Sequence, residues 1–296
     1  MKNSSFKYNF YAIAAGIFWG LIGLFTRYLN EGGVNSAGIL LLRSGGCMLV
    51  FALAILLRDP KQFCVTRRQV PFLLLFGIST LTFTLSYYQA ITYASLGAAC
   101  TLMYCQPVFV MLISLFVFRE KFTARKLLAL LLCVVGCALV SGLLQEGEAL
   151  QLKGILYGLL AGVLYAVYAV LSKILSNKEN CPVLTLNFYG WAVSALGAVL
   201  LYGLSPAAPA FATAPRLLAT VGLFLISGAI PSFLYSVSLS GTEAGRAAVM
   251  SCTEPVTAML LGFLVYRENP GITGVLGIIL VLSAVILLNI PARKNK

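Results

Sequence analysis

Two ionisable residues of this sequence lie where charge is costly, inside long apolar runs. Glu254 is about nine residues inside the ninth run, which in a helix places it on the order of 14 Å deep, near the middle of a bilayer. A charge at a helix centre costs about 2.5 to 3.5 kcal/mol on insertion scales. Glu254 is therefore expected to be protonated, paired, or facing a wet cavity. It would then serve either proton coupling or a cationic group, or else lock helices together as a neutral acid or salt bridge.

Arg43 lies some eight residues into the second apolar run and is the natural partner of Glu254. We favour pairing or a structural role for it, and the alternative is a clamp for a substrate carboxylate or phosphate. Pro107 and Pro255 each remove a backbone donor and predict a helix break.

Aromatic and amide side chains could line a cavity around these two charges, because a ring with one polar tip can face water while its body packs against apolar groups. Each of them could equally be ordinary core or interface. The candidates for substrate binding or coupling, besides Arg43 and Glu254, are Trp19, Tyr88, Gln106, Tyr165, Asn187, Trp191 and Tyr235.

Most of the residue combinations that enzymes use for catalysis are absent from the sequence. There is no histidine, which removes Ser-His and Cys-His nucleophile pairs, and Asp59 is the only aspartate, which removes an aspartyl dyad. The eight cysteines include no CxxC pair and are expected to be small core residues. We therefore predict no enzyme, no cofactor and no metal. An intramembrane enzyme or a non-transporting membrane protein stays as the alternative, and a channel would need charge rings or a carbonyl filter, which do not appear.

The elements that must position these residues are membrane helices. The chain of 296 residues is 60% hydrophobic and 10% charged, too little charge to cover a water-facing surface. Ten apolar runs are each long enough to cross about 30 Å of hydrocarbon as a helix, and their continuous apolar character excludes a barrel. The predicted fold is an all-α membrane protein with spans at about 8–29, 36–57, 70–91, 95–118, 125–144, 153–175, 183–204, 217–239, 245–266 and 271–290.

The net charge of +12 comes from short loops beside apolar runs, which indicates orientation of helices and not nucleic-acid binding. With ten spans starting inside, most basic residues, such as Arg58, Arg67 and Arg68, fall on one side. This bias predicts an inner-membrane protein with both termini in the cytoplasm. Cys64 and Cys181 then lie on the cytoplasmic side, where thiols stay reduced.

The sequence repeats itself. A shift of 148 residues lays Gly97–Glu120 on Gly245–Glu268 with nine of 24 positions identical, and a shift near 146 pairs Arg27 with Lys173 and Trp19 with Tyr165. We predict a first five-helix repeat at 1–144, a linker at 145–152 and a second repeat at 153–296. Because five is odd, the second repeat is inverted in the membrane, as in many secondary transporters.

Several motifs resemble the EamA-type branch of the drug/metabolite transporter superfamily. They are Phe18-Trp19-Gly20, Arg43, Gln106-Pro107 and Arg119-Glu120, followed by a basic amphipathic start to the fifth span. The second repeat departs from the first, with Tyr165-Ala166 in place of Trp19-Gly20 and Tyr189 near the place of Arg43.

The resemblance implies a secondary active transporter, an exporter of small organic metabolites such as amino acids, that works by alternating access. No GxxxxGK loop is present, so the energy would come from a gradient. The expected partners are the lipid bilayer, a small-molecule substrate and protons as the candidate coupling ion, and the oligomeric state is open. We expect Arg119-Glu120 and Arg267-Glu268 to lie at the membrane boundary, where helix-end snorkelling explains them without transport chemistry.

Overall fold

The computed structural model describes residues 2–94, 96–141, 151–269 and 271–290, and every regular element in these ranges is helical. Nine helical segments of the described chain have at least 18 residues and enough apolar character to cross a membrane. The helix of the fifth segment, Ala124–Val140, has 17 residues. The predicted all-α membrane fold with ten spans is confirmed, and the protein is a multi-pass membrane protein.

The ten spans are numbered here in chain order. Four of them are interrupted helices, and two short 3₁₀ turns, Pro60–Phe63 and Ser205–Phe211, lie in the connections. Their bounds are Lys2–Gly20 with Ile22–Glu31 (span 1), Ser36–Arg58 (span 2), Gln69–Tyr93 (span 3), Leu96–Met103 with Gln106–Val117 (span 4), Ala124–Val140 (span 5), Leu152–Asn177 (span 6), Val183–Tyr202 (span 7), Ala214–Phe224, Leu225–Ala229 and Ile230–Gly241 (span 8), Ala244–Ser251 with Thr253–Tyr266 (span 9), and Gly271–Asn289 (span 10).

Local capping accounts for some of the helix starts. The Asn35 side chain accepts the Gly38 amide at 2.9 Å at the start of span 2, and the Thr123 hydroxyl accepts the Lys126 amide at 3.3 Å at the start of span 5. These oxygens satisfy backbone donors that a helix leaves free in its first turn. Spans 2 and 5 therefore begin where a short polar residue ends the preceding connection.

The packing of the spans follows the predicted symmetry. Span 3 packs on span 6 while span 8 packs on span 1, and span 4 contacts span 6 while span 9 contacts span 1. Spans 5 and 10, spans 2 and 7, and spans 4 and 9 contact each other. Exchanging each span with the one five places away leaves this pattern unchanged. The two inverted repeats are thus visible in the contacts as well as in the sequence.

Spans 4 and 9 are broken near their middles, and small residues of span 1 lie against the break in span 9. A Cβ atom added at Gly16 would be 2.4 Å from the carbonyl oxygen of Ser251, and one added at Gly20 would be 2.7 Å from that of Glu254. Span 6 approaches span 4 in the same way, since a Cβ atom at Gly162 would be 3.1 Å from the carbonyl oxygen of Leu102. Glycine is thus required at Gly16 and Gly20, and it gives Gly162 a close approach, where one helix covers the interrupted backbone of another.

The predicted linker at 145–152 falls, up to residue 150, outside the described residues. The repeat boundaries at 1–144 and 153–296 therefore stay predictions.

We call the side of the bundle where span 1 begins and span 10 ends the first side, and the opposite side the second side. Each span crosses from one side to the other, so the ends of even-numbered spans and the starts of odd-numbered spans lie on the first side. This naming is used for all depths below.

Candidate functional site

Glu254 lies in the first turn after the break of span 9, ten residues from Ala244 at the start of that span, or about 15 Å. It is half-buried. The Tyr104 hydroxyl, in the break of span 4, faces its carboxyl group, and the charge of Arg43 acts on it from span 2. Within the described chain, however, Glu254 forms no ion pair within 4 Å. The carboxyl group and the guanidinium share the centre of the bundle without direct contact.

Arg43 is fixed by spans 7 and 8. Its guanidinium donates to the carbonyl oxygen of Ser227 at 3.3 Å, and its Cζ lies 5.5 Å from the centroid of the Trp191 ring. Ser227 belongs to the π-helical turn Leu225–Ala229, and such turns are frequent at functional sites because they displace carbonyls from the helix ladder. The buried Nε of Arg43 has no hydrogen-bond partner among the described residues. The guanidinium therefore keeps an unused donor for an anionic group.

Aromatic rings from spans 1, 6 and 8 pack beside these charges. The Trp19 ring centroid lies 6.2 Å from that of Tyr165 and 5.2 Å from that of Tyr235, in edge-to-face arrangements. Tyr168 stacks parallel to Tyr235 with centroids 6.4 Å apart. Trp19 and Tyr165, which the repeat alignment pairs, thus meet at the centre. The ring cluster forms a rigid wall with polar tips, suited to an organic solute.

Some buried polar atoms of the centre have no protein partner in the part of the chain that the structure describes. They include Oε1 of Gln106 and the hydroxyl of Tyr235. Gln106 occupies, in span 4, the position of Glu254 in span 9, and is 1% exposed. Buried polar groups in folded proteins are normally satisfied, so such atoms point to water or a ligand.

The exposure of side chains differs between the two sides of the centre. Arg43, Tyr88 and Glu254 are half-buried, and Arg43 and Tyr88 lie towards the second side of their spans. Residues nearer the first side are closed off, since Tyr168 is 4% exposed and Tyr235 is fully buried. The described centre is thus packed towards the first side and looser towards the second.

Asn187 lies away from the charged centre. It is fully buried near the first side, where its Nδ2 donates to Ser236 Oγ at 3.0 Å and to the Val183 carbonyl at 2.9 Å. The Tyr189 hydroxyl donates to the Phe63 carbonyl at 2.7 Å, so Trp191, and not Tyr189, faces Arg43. Pro107 and Pro255 occupy the first turn of the second half-helix in spans 4 and 9, directly after each interruption.

Three thiols come together beside the break of span 9. The sulfur atoms of Cys133, Cys137 and Cys252 lie within 4.8 Å of one another, and all three residues are buried. Cys133 and Cys137 are one helical turn apart, and Cys252 is the residue at the interruption. Such a group could hold a soft metal ion. Sequence spacing gave no sign of it because Cys252 is distant in the chain.

A cavity of about 520 Å³ lies on the first side, away from the charged centre. It is lined at the ends of spans 6 and 8 and the start of span 9 by Lys173, Asn177, Ser240, Gly241, Thr242, Glu243 and Arg246. Apart from Lys173, which the repeat alignment pairs with Arg27, these residues did not stand out in the sequence, because polar residues at span ends are ordinary.

Ten spans in two inverted repeats, with broken helices meeting at an acid, a base and aromatic rings, form an architecture that is also found in secondary transporters. The chain belongs to the EamA-like transporter family, which matches residues 6–142 and 152–290.

Relatives of similar length are named as transporters. The chain is 27% identical to an uncharacterized transporter of Archaeoglobus fulgidus over 93% of both proteins. It is 24% identical to the uncharacterized inner membrane transporter YicL of Salmonella typhimurium, over 96% of this chain and 95% of that protein. A solved crystal structure matches with a TM-score of 0.79 at 18% identity over 95% of both chains, which supports the fold alone.

The different surroundings of Asn187 and Glu254 predict different effects of substitution on stability. Asn187→Ala removes one buried hydrogen bond between spans 7 and 8 and one within span 7, so we expect the free energy of unfolding to fall by roughly 0.5–2 kcal/mol. Glu254→Gln keeps the shape and has no direct ion pair to lose, so thermal unfolding in detergent should occur at an unchanged or higher temperature. If Glu254→Gln destabilised the protein as much as Asn187→Ala, the carboxyl group would be part of the scaffold instead of a site.

Proposed function

We propose that the protein is a secondary active carrier that moves a small organic metabolite, such as an amino acid, across the inner membrane by alternating access. The observation that carries this proposal is the pair Arg43 and Glu254, held half-buried at the junction of two inverted repeats without neutralising each other. Leaving two such groups unpaired in a membrane is expensive unless they meet water or a ligand. A zwitterionic solute would satisfy both.

The substrate class follows from the chemistry of the centre. A carboxylate can be bound by the free Nε of Arg43, an ammonium group by Glu254, and an apolar or aromatic body by the wall of Trp19 and Tyr165. The proposed direction is outward, from the family resemblance, and protons are the proposed coupling ion. A proton on Glu254 would compete with the cationic end of the solute, which is a simple way to couple the two movements.

Transport, and not catalysis, is the activity proposed for this centre. The family and the relatives are transporters, and the chain has no histidine to act as a general base. Metal binding by the three thiols is not part of the proposed cycle.

The proposed orientation places the first side in the cytoplasm, with both termini there. The bias of basic residues to that side supports it, and the name of the Salmonella relative supports the inner membrane.

Counterflow in proteoliposomes tests the carrier. Vesicles loaded with an unlabelled amino-acid mixture should accumulate traces of labelled amino acids transiently, because a carrier exchanges solute across the membrane. We expect Glu254→Gln to keep this exchange but to reduce accumulation driven by a pH gradient to the level of protein-free vesicles. Glu179→Gln, which changes a carboxylate after span 6 that forms no ion pair within 4 Å in the described chain, is the matched control and should retain pH-driven accumulation.

Either of two results would count against the proposal. No exchange of any amino acid or of other small metabolites tried would remove the carrier. Unchanged pH-driven accumulation in Glu254→Gln would remove the coupling role of that residue while leaving the carrier in place.

The orientation is tested by thiol labelling. Cys64 is the one exposed cysteine in the described part of the chain and lies on the first side, after span 2. A membrane-impermeant maleimide should label it in inverted membrane vesicles and not in intact cells, and Cys64→Ser should abolish the label. Adding Ser205→Cys, an exposed position on the second side, should give the opposite pattern. Labelling of Cys64 in intact cells would reverse the proposed orientation.

A further inference from the structure

The end of span 4 and the end of span 9 carry the same local structure. Residues 118–120 and 266–268 read aromatic, Arg, Glu in both repeats. Arg119 has a φ of 55° and Arg267 a φ of 56°, which is the left-handed region that a non-glycine residue rarely adopts. In each repeat, the amide of the glutamate donates to the carbonyl six residues earlier, at 3.3 and 3.1 Å. This left-handed turn ends the helix and directs the glutamate back towards the bundle.

Each of the two glutamates forms an ion pair with a cationic side chain of the bundle. Glu120 pairs with Lys173 of span 6 at 2.7 Å, and Glu268 pairs with Arg27 of span 1 at 2.8 Å. The two cations are the residues that the repeat alignment places opposite each other. In each pair the aromatic residue of the same motif also covers the cation. Lys173 Nζ lies 4.9 Å from the centroid of the Phe118 ring on the first side, and Arg27 Cζ lies 4.2 Å from that of the Tyr266 ring on the second side. The expectation of simple snorkelling at these helix ends does not describe such paired contacts.

The two ion pairs differ sharply in exposure. The Lys173 and Glu120 side chains are each 11% exposed, whereas those of Arg27 and Glu268 are 47% and 54% exposed. Equivalent residues with equivalent pair distances therefore lie in different surroundings. The ion pair on the first side is thus the more buried of the two, as the centre is also packed more tightly towards the first side than towards the second.

The buried pair is covered by the turn between spans 8 and 9. The Glu120 carboxylate also accepts the Ala244 amide at 2.9 Å, and Lys173 also donates to the Thr242 carbonyl at 2.9 Å. A second ion pair, Lys126 with Glu243 at 2.9 Å, joins the same turn to span 5. The repeat shift of 148 places Thr242 opposite Ala94, the residue that follows span 3 on the second side.

We propose that these two ion pairs are the latches of the carrier, one for each side of the membrane, and that each closes its side by binding the turn that precedes the broken span of the opposite repeat. Glu120 and Lys173 hold the turn at 242–244 and close the first side. Glu268 and Arg27 hold the chain at Ala94, directly after span 3, and close the second side in the alternate state. This structure is the state with the first side closed. The proposal rests on the carrier function above.

The chemistry explains why the latches alternate. A buried carboxylate and ammonium are stable only when their remaining lone pairs and N–H groups form hydrogen bonds. The turn supplies an amide donor for the carboxylate and a carbonyl acceptor for the ammonium. When the turn leaves, water can form these hydrogen bonds instead, as it can at the exposed pair. Each side therefore has a bound and a hydrated form of similar energy, and the sequence repeat makes the two sides equivalent in kind.

Hydrogen–deuterium exchange of the purified full-length protein, without any added solute, tests the latches. Glu120→Gln weakens the hold on the 242–244 turn and leaves Lys173 without its partner. We expect exchange of peptides covering 240–246 to rise roughly tenfold or more, and exchange of peptides covering 90–94 to fall, because the second side closes as the first opens. Glu268→Gln is the matched control and should not open the first side.

If Glu120→Gln fails to fold because Lys173 is left buried and unpaired, the double variant Glu120→Gln with Lys173→Gln removes both charges and should give the same pattern. Opposite changes on the two sides in either variant support the latches. Equal changes on both sides, or no change on the second side, would overturn them. Since no solute is present, this result does not depend on counterflow, and a failure to find a transported solute would bear on the carrier alone.

Discussion

The structure depends on how it covers two breaks in the backbone at membrane depth. Hydrocarbon offers no hydrogen bonds, so a non-helical turn inside a span is tolerated only where protein or a wet cavity surrounds it. Spans 4 and 9 both have such a turn, and glycines of spans 6 and 1 bring a helix against it. Any side chain at Gly16 would collide with the carbonyl oxygen of Ser251. The close contacts between repeats, and with them the position of Glu254, follow from this constraint.

The positions at which the two repeats differ point to the residues proposed to bind a solute. Gln106 and Glu254 occupy equivalent places after equivalent breaks, yet only one of them can carry charge. Arg43 meets Trp191 of span 7, so the base of the centre is supplied by the first repeat and the acid by the second. A solute with two opposite charges would therefore bridge the repeats, and its binding energy would depend on how the repeats are arranged.

Much of the fold could be predicted from the sequence, because membrane spans are continuous apolar runs and their lengths are set by the bilayer. The depth of Glu254 followed from counting residues along its span. The surroundings of Arg43 could not be predicted, since they depend on a π-helical turn at Ser227 that no spacing of residues in the sequence predicts. The ion pair of Glu120 with Lys173 could be predicted only in part. The repeat alignment already paired Arg27 with Lys173 and Glu120 with Glu268, but only the packing of spans 4 and 6 shows that these residues meet.

The most direct test of alternation is a pair of distances measured on the two sides. Spin labels at Glu31 and Leu152 report the second side, and labels at Phe6 and Asn177 report the first, since these four exposed positions end spans 1 and 6. In the Cys64→Ser background, double electron–electron resonance should give two distances for each pair. Adding Glu120→Gln should lengthen the first-side distance and shorten the second-side distance. Lengthening on both sides, or a single unchanged distance on each, would contradict the exchange of states on which the account rests.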